Sequence, residues 1–277
     1  MRRNKMIWGV ILILVCTVSA ADSEAGTFML GVKTWYTTWE SSVLDWFEKN
    51  LIADFASLGR TIDTDKDAGS GYLAGPLIGY QTDDGKWSFS FAPMVFSSFE
   101  QDWEGDVTGM EIDADVDLER TDLDFAVSYA LNKHAWVYWG YKYQFMEIDF
   151  TLSYDTMMGS ITNEYKLESE VHIPTIGAGF VYPVSNKVAL STQLGLLYSI
   201  PRLEMKDADG TKYDVWAEGT IGFNGEVFIS YRPVDSLLFQ LGYRYQYFRL
   251  DARQPDSDKT ESDDITHGPT FSAVWVF

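Results

Sequence analysis

Three observations predict an all-β chain folded as a transmembrane, antiparallel, up-and-down β-barrel of about ten strands. An export signal opens the sequence, tight-turn signals recur about every fifty residues, and the stretches between them alternate apolar and polar residues with a period of two.

The elements follow in order. Arg2, Arg3 and Lys5 form a positive start, residues 6–15 an apolar run, and Val18-Ser19-Ala20 a small-residue cleavage site, so residues 1–20 read as a signal peptide and 21–277 as one barrel domain. A cut one residue later, between Ala21 and Asp22, is the nearby alternative. Cys16, the single cysteine, leaves with the signal, which excludes disulfides and Cys metal sites from the mature chain. No later run reaches the ~18 apolar residues of a transmembrane helix. Tight turns are predicted at Thr82-Asp83-Asp84-Gly85, Leu131-Asn132-Lys133-His134, 183–187 and 232–236, where Asn, Asp, Gly and Pro set the backbone.

Ten strands are expected, at 27–39, 71–81, 86–99, 121–131, 135–151, 169–183, 187–200, 214–231, 236–250 and 267–277, with eight or twelve as the alternatives. Longer, polar loops are expected at 40–70, 100–120, 152–168, 201–213 and 251–266, so that short turns and long loops alternate. Within the second of these, residues 111–119 alternate acid and apolar so strictly that they read as a strand extension above the membrane, and residues 135–157 run extended almost to Met158. In the first, Val43, Leu44, Phe47, Leu51, Phe55 and Leu58 fit a helical period, which predicts a short amphipathic helix over 42–58, capped by Ser41 or Ser42.

Alternation assigns the faces. Leu123, Phe125, Val127 and Tyr129 oppose Asp122, Asp124, Ala126 and Ser128; Leu237 to Tyr247 oppose Gln240, Gly242, Arg244 and Gln246. The apolar face meets lipid and the polar, small face lines the lumen; a secreted β-sandwich would turn the apolar face inward. Lys33, Asp124, Lys142, Glu226 and Arg244 lie at similar distances from their turns on the lumen register. They predict one charged layer, with Asp122 and Glu218 above it. Such a layer either fills the barrel as a salt-bridge network or lines a narrow ion path.

Charge bounds the partners. The chain carries −20 formally, and without the signal 18 basic against 41 acidic residues, −23, which excludes nucleic-acid binding. Asp102, Glu104, Asp106, Glu111, Asp113, Asp115, Asp117 and Glu119 make an acidic segment. It is a candidate for divalent cations such as Ca²⁺ or Mg²⁺, although no EF-hand spacing is present.

Phe271, Ala273, Trp275 and Phe277 form an alternating apolar row at the end of the chain, expected to face lipid in a strand that closes the barrel beside Phe28. With the export signal and an aromatic content of 16%, this row resembles bacterial outer-membrane β-barrels. The resemblance implies a Gram-negative outer membrane, both ends on the periplasmic side, recognition of the last strand by the barrel assembly machinery, and contact with lipid and lipopolysaccharide. Glu100-Gln101-Asp102-Trp103 is similar to the Asp-Gln-Asp-Trp motif of the omptin proteases, which also have ten strands. That family pairs it with an Asp/His couple from another loop; residues 206–210 here hold no His, and only His172 and His267 lie toward the outside. A lipase-type barrel needs a Ser–His pair at membrane level, and neither Ser128 nor Ser191 has a His at its depth. The reading is therefore a non-enzymatic outer-membrane barrel, narrow or plugged, displaying acidic loops, with small-solute passage as a variant and a surface hydrolase as the alternative. No catalytic residue, metal or cofactor is assigned.

Overall fold

A computed structural model describes residues 26–41, 49, 62–66, 69–100, 103–107, 110–156, 159–206, 210–253 and 260–277. Residues 1–20, expected as a signal peptide, lie outside these residues, and so does the helix expected over 42–58, apart from Lys49. The described strands are β1 (Thr27–Glu40), β2 (Ile62–Lys66), β3 (Gly69–Gln81), β4 (Trp87–Met94), β5 (Phe96–Glu100), β6 (Trp103–Val107), β7 (Met110–Asn132), β8 (Ala135–Thr156), β9 (Gly159–Pro183), β10 (Val188–Tyr198), β11 (Ile200–Lys206), β12 (Lys212–Glu218), β13 (Ile221–Val234), β14 (Leu237–Arg253) and β15 (Thr260–Val276).

They make ten staves, because β2 runs on into β3, β4, β5 and β6 run on as one, and so do β10 with β11 and β12 with β13. Each stave pairs antiparallel with its sequence neighbours, and β15 returns to β1 from Met29↔Val276 to Glu40↔Ile265. Phe28 and Phe277 exchange backbone hydrogen bonds of 3.3 and 2.9 Å at the seam, so the barrel has no open edge there. The turns at one rim are tight for the residue-level reasons expected. Asp84 Oδ1 accepts from Thr82 Oγ1 (2.6 Å) and Lys86 N (3.0 Å), Gly85 takes φ 65°, and Asn132 Oδ1 accepts from His134 N at 2.8 Å.

Over about ten residues from these turns the wall is apolar outward and polar inward. Val32, Phe91, Phe125, Trp139, Ile176, Leu194, Val227, Leu241 and Phe271 are exposed on its outside. Phe277 and Trp275 are 67% and 54% exposed at the turn-side rim, where Trp87 also stacks near Tyr129 at 4.8 Å. A side chain so placed in water would cost free energy; in lipid it is at home, so this band is the membrane-spanning part.

Beyond the band the wall reverses sense. On β8, Tyr141, Tyr143 and Phe145 point outward, but the next outward residues are Glu147 and Asp149, while Met146, Ile148 and Phe150 are buried inside. On β9, Leu167 points in while Lys166 and Glu168 point out; on β14, Leu250 points in while Arg249 points out. Trp39, Leu118, Met146, Ile148, Phe150, Leu167, Leu203, Val215 and Leu250 form one core inside this outer section. Here the outside is water, so the same period-two pattern must exchange its faces.

That reversal corrects the expected loops. Residues 159–168, 201–206, 212–213, 251–253 and 260–266 are hydrogen-bonded strand, and 103–107 and 62–66 add further strands beside the outer end of β7. Polar composition suggested loops; a wall surrounded by water carries polar residues outward and remains a ladder. The segment 111–119 is strand, as its alternation indicated. Lys49 Nζ donates to Glu261 O at 2.8 Å and to Ser262 Oγ at 3.4 Å, which ties the first long connection to β15 above the band.

Candidate functional site

The polar lumen face brings charges from five staves into the barrel. Arg244 (β14) donates to Asp124 (β7) at 2.8 Å, and Lys142 (β8) reaches Asp122 at 2.8 Å and Asp124 at 3.8 Å. Lys33 (β1) lies 3.4 Å from Glu226 (β13), which also accepts from Gln193 Nε2 at 2.8 Å. Four of these charges thus form one linked group and the other two a second. Asp122 belongs to the first group; Glu218 stands higher, on β12 opposite Asp251.

Arg120, which the sequence reading did not single out, anchors the top of the layer. Its guanidinium holds both oxygens of Asp122 (2.9 and 3.1 Å) and Gln144 Oε1 (3.0 Å), and it is 1% exposed. Lys142 is further held by Gln246 Oε1 at 3.0 Å. The fully buried Trp35 is the hub: Arg244, Lys142 and Arg120 stand 4.7, 5.2 and 5.9 Å from its ring centroid. Unbroken parity along β7 was the available signal, since Arg120, Asp122 and Asp124 fall on one face.

Below the layer the lumen is lined by small and polar side chains. Two adjoining cavities of about 170 and 220 Å³ share Lys33, Leu77, Ser90, Gln193 and Glu226. Tyr138 crosses the upper one and donates to Asn224 Oδ1 at 3.2 Å. It fits only because Gly177 and Gly195 face it: a Cβ on Gly195 would lie 2.3 Å from its hydroxyl oxygen. Above the layer the space is mostly apolar, with a few buried polar side chains, among them Asp264, which accepts from Trp39 Nε1 at 3.3 Å. Trp35, Leu73 and Met94 pack at its edge, Val171, Ile173, Leu197 and Phe248 beside them, and the larger core of the outer section lies beyond. The barrel is a polar cup under an ion-paired layer under a mostly apolar plug.

On the outside of the outer section, register lines up carboxylates. Glu119↔Glu147, Glu147↔Glu168, Glu168↔Glu204 and Glu204↔Asp214 are direct cross-strand pairs, so five acids stand in one row on β7, β8, β9, β11 and β12. Lys166 bonds Glu147, and Lys212 bonds Glu204. Burial alone would lower the Lys166 pKa; the hydrogen bond it donates to Glu147 and the surrounding acids outweigh it and hold the ammonium above its ordinary value. Lys212 keeps Glu204 below the usual carboxylate range through their hydrogen bond. Among the described residues no group of three or more His, Cys, Asp or Glu side chains is arranged to hold a metal ion. Asp102 to Asp115 of the acidic segment fall outside the described side chains.

Both outer histidines face away from the lumen. His172 Nδ1 lies 2.5 Å from the Tyr141 hydroxyl, and His267 Nδ1 lies 2.6 Å from the Tyr243 hydroxyl. Each points to the lipid side of the wall, not to a shared cleft. Ser191 and Ser128 face the lumen side with no histidine partner among the described residues.

No protein-family model and no curated protein sequence matches the chain. Solved structures do resemble it in shape. The translocator domain of the autotransporter NalP from Neisseria meningitidis is 9% identical, with 98% of this chain and 95% of that chain covered and a TM-score of 0.48. The outer membrane protease OmpT from Escherichia coli is 12% identical over 91% and 94% of the two chains, with a TM-score of 0.44. The outer membrane protein OprG from Pseudomonas aeruginosa is 12% identical over 91% and 96%, with a TM-score of 0.34. The closed ten-stave wall, its exposed apolar band and its aromatic rims, taken from the chain's own geometry, have the architecture of an outer-membrane β-barrel.

Proposed function

We propose that this outer-membrane barrel is sealed and non-enzymatic, and that it works by presenting a rigid acidic wall to the outside. The supporting observation is the stack in the lumen: an ion-paired layer around Trp35 roofed by the apolar core of Trp39, Leu118, Ile148 and Leu203. An ion entering the cup meets paired charges and then a packed section that is mostly apolar, with only a few buried polar side chains such as Asp264, Ser262 and Ser169. Passage of small solutes would require that core to part. Among the described residues the hydrolase alternative has no converging site, since His172 and His267 each pair with a tyrosine on the lipid side. On this reading the partners are outer-membrane lipid, lipopolysaccharide bridged to the acids by divalent cations, and, during insertion, the barrel assembly machinery.

The test is recording from purified protein in planar bilayers. Silence at both polarities is expected for the wild type. A stable ohmic conductance whose ion selectivity changes in Arg244→Glu would overturn the sealed reading in favour of a channel.

A further inference from the structure

Two hairpins of the barrel carry the same composite motif. On β8 the sequence is Gly140-Tyr141-Lys142-Tyr143-Gln144, and on β14 it is Gly242-Tyr243-Arg244-Tyr245-Gln246. The following staves supply His172-Ile173-Pro174 and His267-Gly268-Pro269. The registers agree as well: Tyr143↔His172 and Tyr141↔Pro174 on one hairpin, Tyr245↔His267 and Tyr243↔Pro269 on the other. The inward members, Lys142, Gln144, Arg244 and Gln246, belong to the lumen network. The outward members do not, and lumen packing gives no reason for them to match.

Each histidine is fixed in the same way. One tyrosine hydroxyl meets Nδ1, and the directly opposite tyrosine lies against the ring, Tyr143 at 5.2 Å and Tyr245 at 6.1 Å between centroids. With the hydroxyl donating to Nδ1, the neutral ring carries its hydrogen on Nε2, on the edge away from that tyrosine. The height is defined by the neighbours. Ile176 below His172 and Phe271 below His267 are exposed apolar residues of the band; toward water the next outward residue is charged Glu170 for His172, and Ile265 followed by charged Asp263 for His267. The histidines therefore lie near the outer edge of the hydrocarbon, His172 one outward position and His267 two outward positions below the first charged residue. An arginine stands on the water side of each: Arg202 opposite Glu170, and, one outward position further from its histidine, Arg249 opposite Asp263, where it also pairs with Asp251 at 3.0 Å and Glu261 at 3.2 Å.

We propose that the two histidine–tyrosine pairs are equivalent docking points for the phosphate-bearing headgroups of outer-leaflet lipids. An oriented Nε2–H donor under an arginine, at headgroup height, suits a phosphate oxygen. Tyrosine and proline beside it give the attached acyl region a flat apolar wall. The arrangement fixes where lipids sit on two separate sides of the barrel.

The protein contains its own control, because the remaining histidine, His134, lies in a tight turn at the other rim. Full mature protein labelled with ¹⁵N-histidine, in an uncharged sugar-detergent micelle, is titrated with dihexanoyl phosphatidic acid and, in parallel, with inorganic phosphate. Saturable shifts of the His172 and His267 Nε2 signals with the lipid, but not of His134 and not with phosphate alone, are expected. Tyr141→Phe and Tyr243→Phe should each weaken binding about tenfold at their own histidine only, the loss of one orienting hydrogen bond. Heat-modifiable gel mobility verifies that both variants remain folded. No saturable shift, equal shifts at all three histidines, or shifts reproduced by inorganic phosphate overturn the proposal, as does full-strength binding in both folded variants.

Discussion

Removing the charge of Asp122 should be among the most damaging single changes inside the membrane. Asp122 is 0% exposed and accepts two hydrogen bonds from Arg120, at 2.9 and 3.1 Å, and one from Lys142, at 2.8 Å. In Asp122→Asn one oxygen becomes a donor facing two buried cations. Three charge-assisted bonds taken separately would suggest about 4–9 kcal/mol, at ~1.5–3 kcal/mol each. The loss is smaller because partners remain: Gln144 at 3.0 Å and Thr266 at 3.4 Å for Arg120, and Gln246 at 3.0 Å for Lys142. About 3–5 kcal/mol is expected, the usual cost of stranding buried charge. Glu226→Gln supplies the contrast. Its partner Lys33 is 17% exposed at 3.4 Å, so water and the lumen cavity can take up the charge, and about 1 kcal/mol should be lost. The assay is equilibrium urea unfolding from lipid vesicles, followed by tryptophan fluorescence. Equal effects in the two variants, or a loss below about 1 kcal/mol in Asp122→Asn, would refute a dry, tightly paired layer around Trp35.

Two further outcomes follow from the water-exposed parts. In Glu168→Gln the central member of the acidic row loses its charge beside Glu147 and Glu204, so stability should rise by about 0.2–1 kcal/mol at low salt and the gain should vanish near ~1 M salt, measured by the same unfolding assay. Asp84 is held below its ordinary carboxylate value of 3.8 by the Thr82 hydroxyl and then by the Lys86 backbone N–H. Because the folded value is the lower one, its contribution is complete above the unfolded pKa and is lost as pH falls through the folded value. Carbon-13 titration of the carboxyl should move up toward 3.8 in Thr82→Val, and an unchanged midpoint would show that the hydroxyl is not the cause.

The turns were the easiest part of the fold to read, because Asn132, Gly85 and Ser185 act through local backbone chemistry. The outward row Leu123, Phe125 and Val127 was legible for a similar reason: alternation is a property of one strand. The upper wall was harder. Glu168, Glu204 and Asp263 read as loop composition until the surrounding solvent changes from lipid to water and the face assignment reverses. A phase change in the apolar residues, from Tyr143 and Phe145 to Met146 and Ile148, marks that boundary in the sequence itself. Distance from the turns picks out Lys33, Asp124, Lys142, Glu226 and Arg244, but the choice of partner, Arg244 with Asp124 and Lys33 with Glu226, depends on barrel stagger between staves far apart in the chain. The duplicated Tyr-x-Tyr and His-x-Pro elements needed comparison of two hairpins that lie about a hundred residues apart.

The reversal of the wall also fixes how deep the molecule rides. An ordinary barrel can rise or sink by a row when the bilayer thickens or thins. Here a descent by one pair of residues would carry Glu119, Glu147 and Glu168 toward hydrocarbon, and an ascent would lift Phe145, Tyr247 and Ile265 into water. Both directions are penalised on several staves together, so mismatch must be absorbed by the lipid. The protein imposes a local thickness on its membrane instead of adapting to the one it finds.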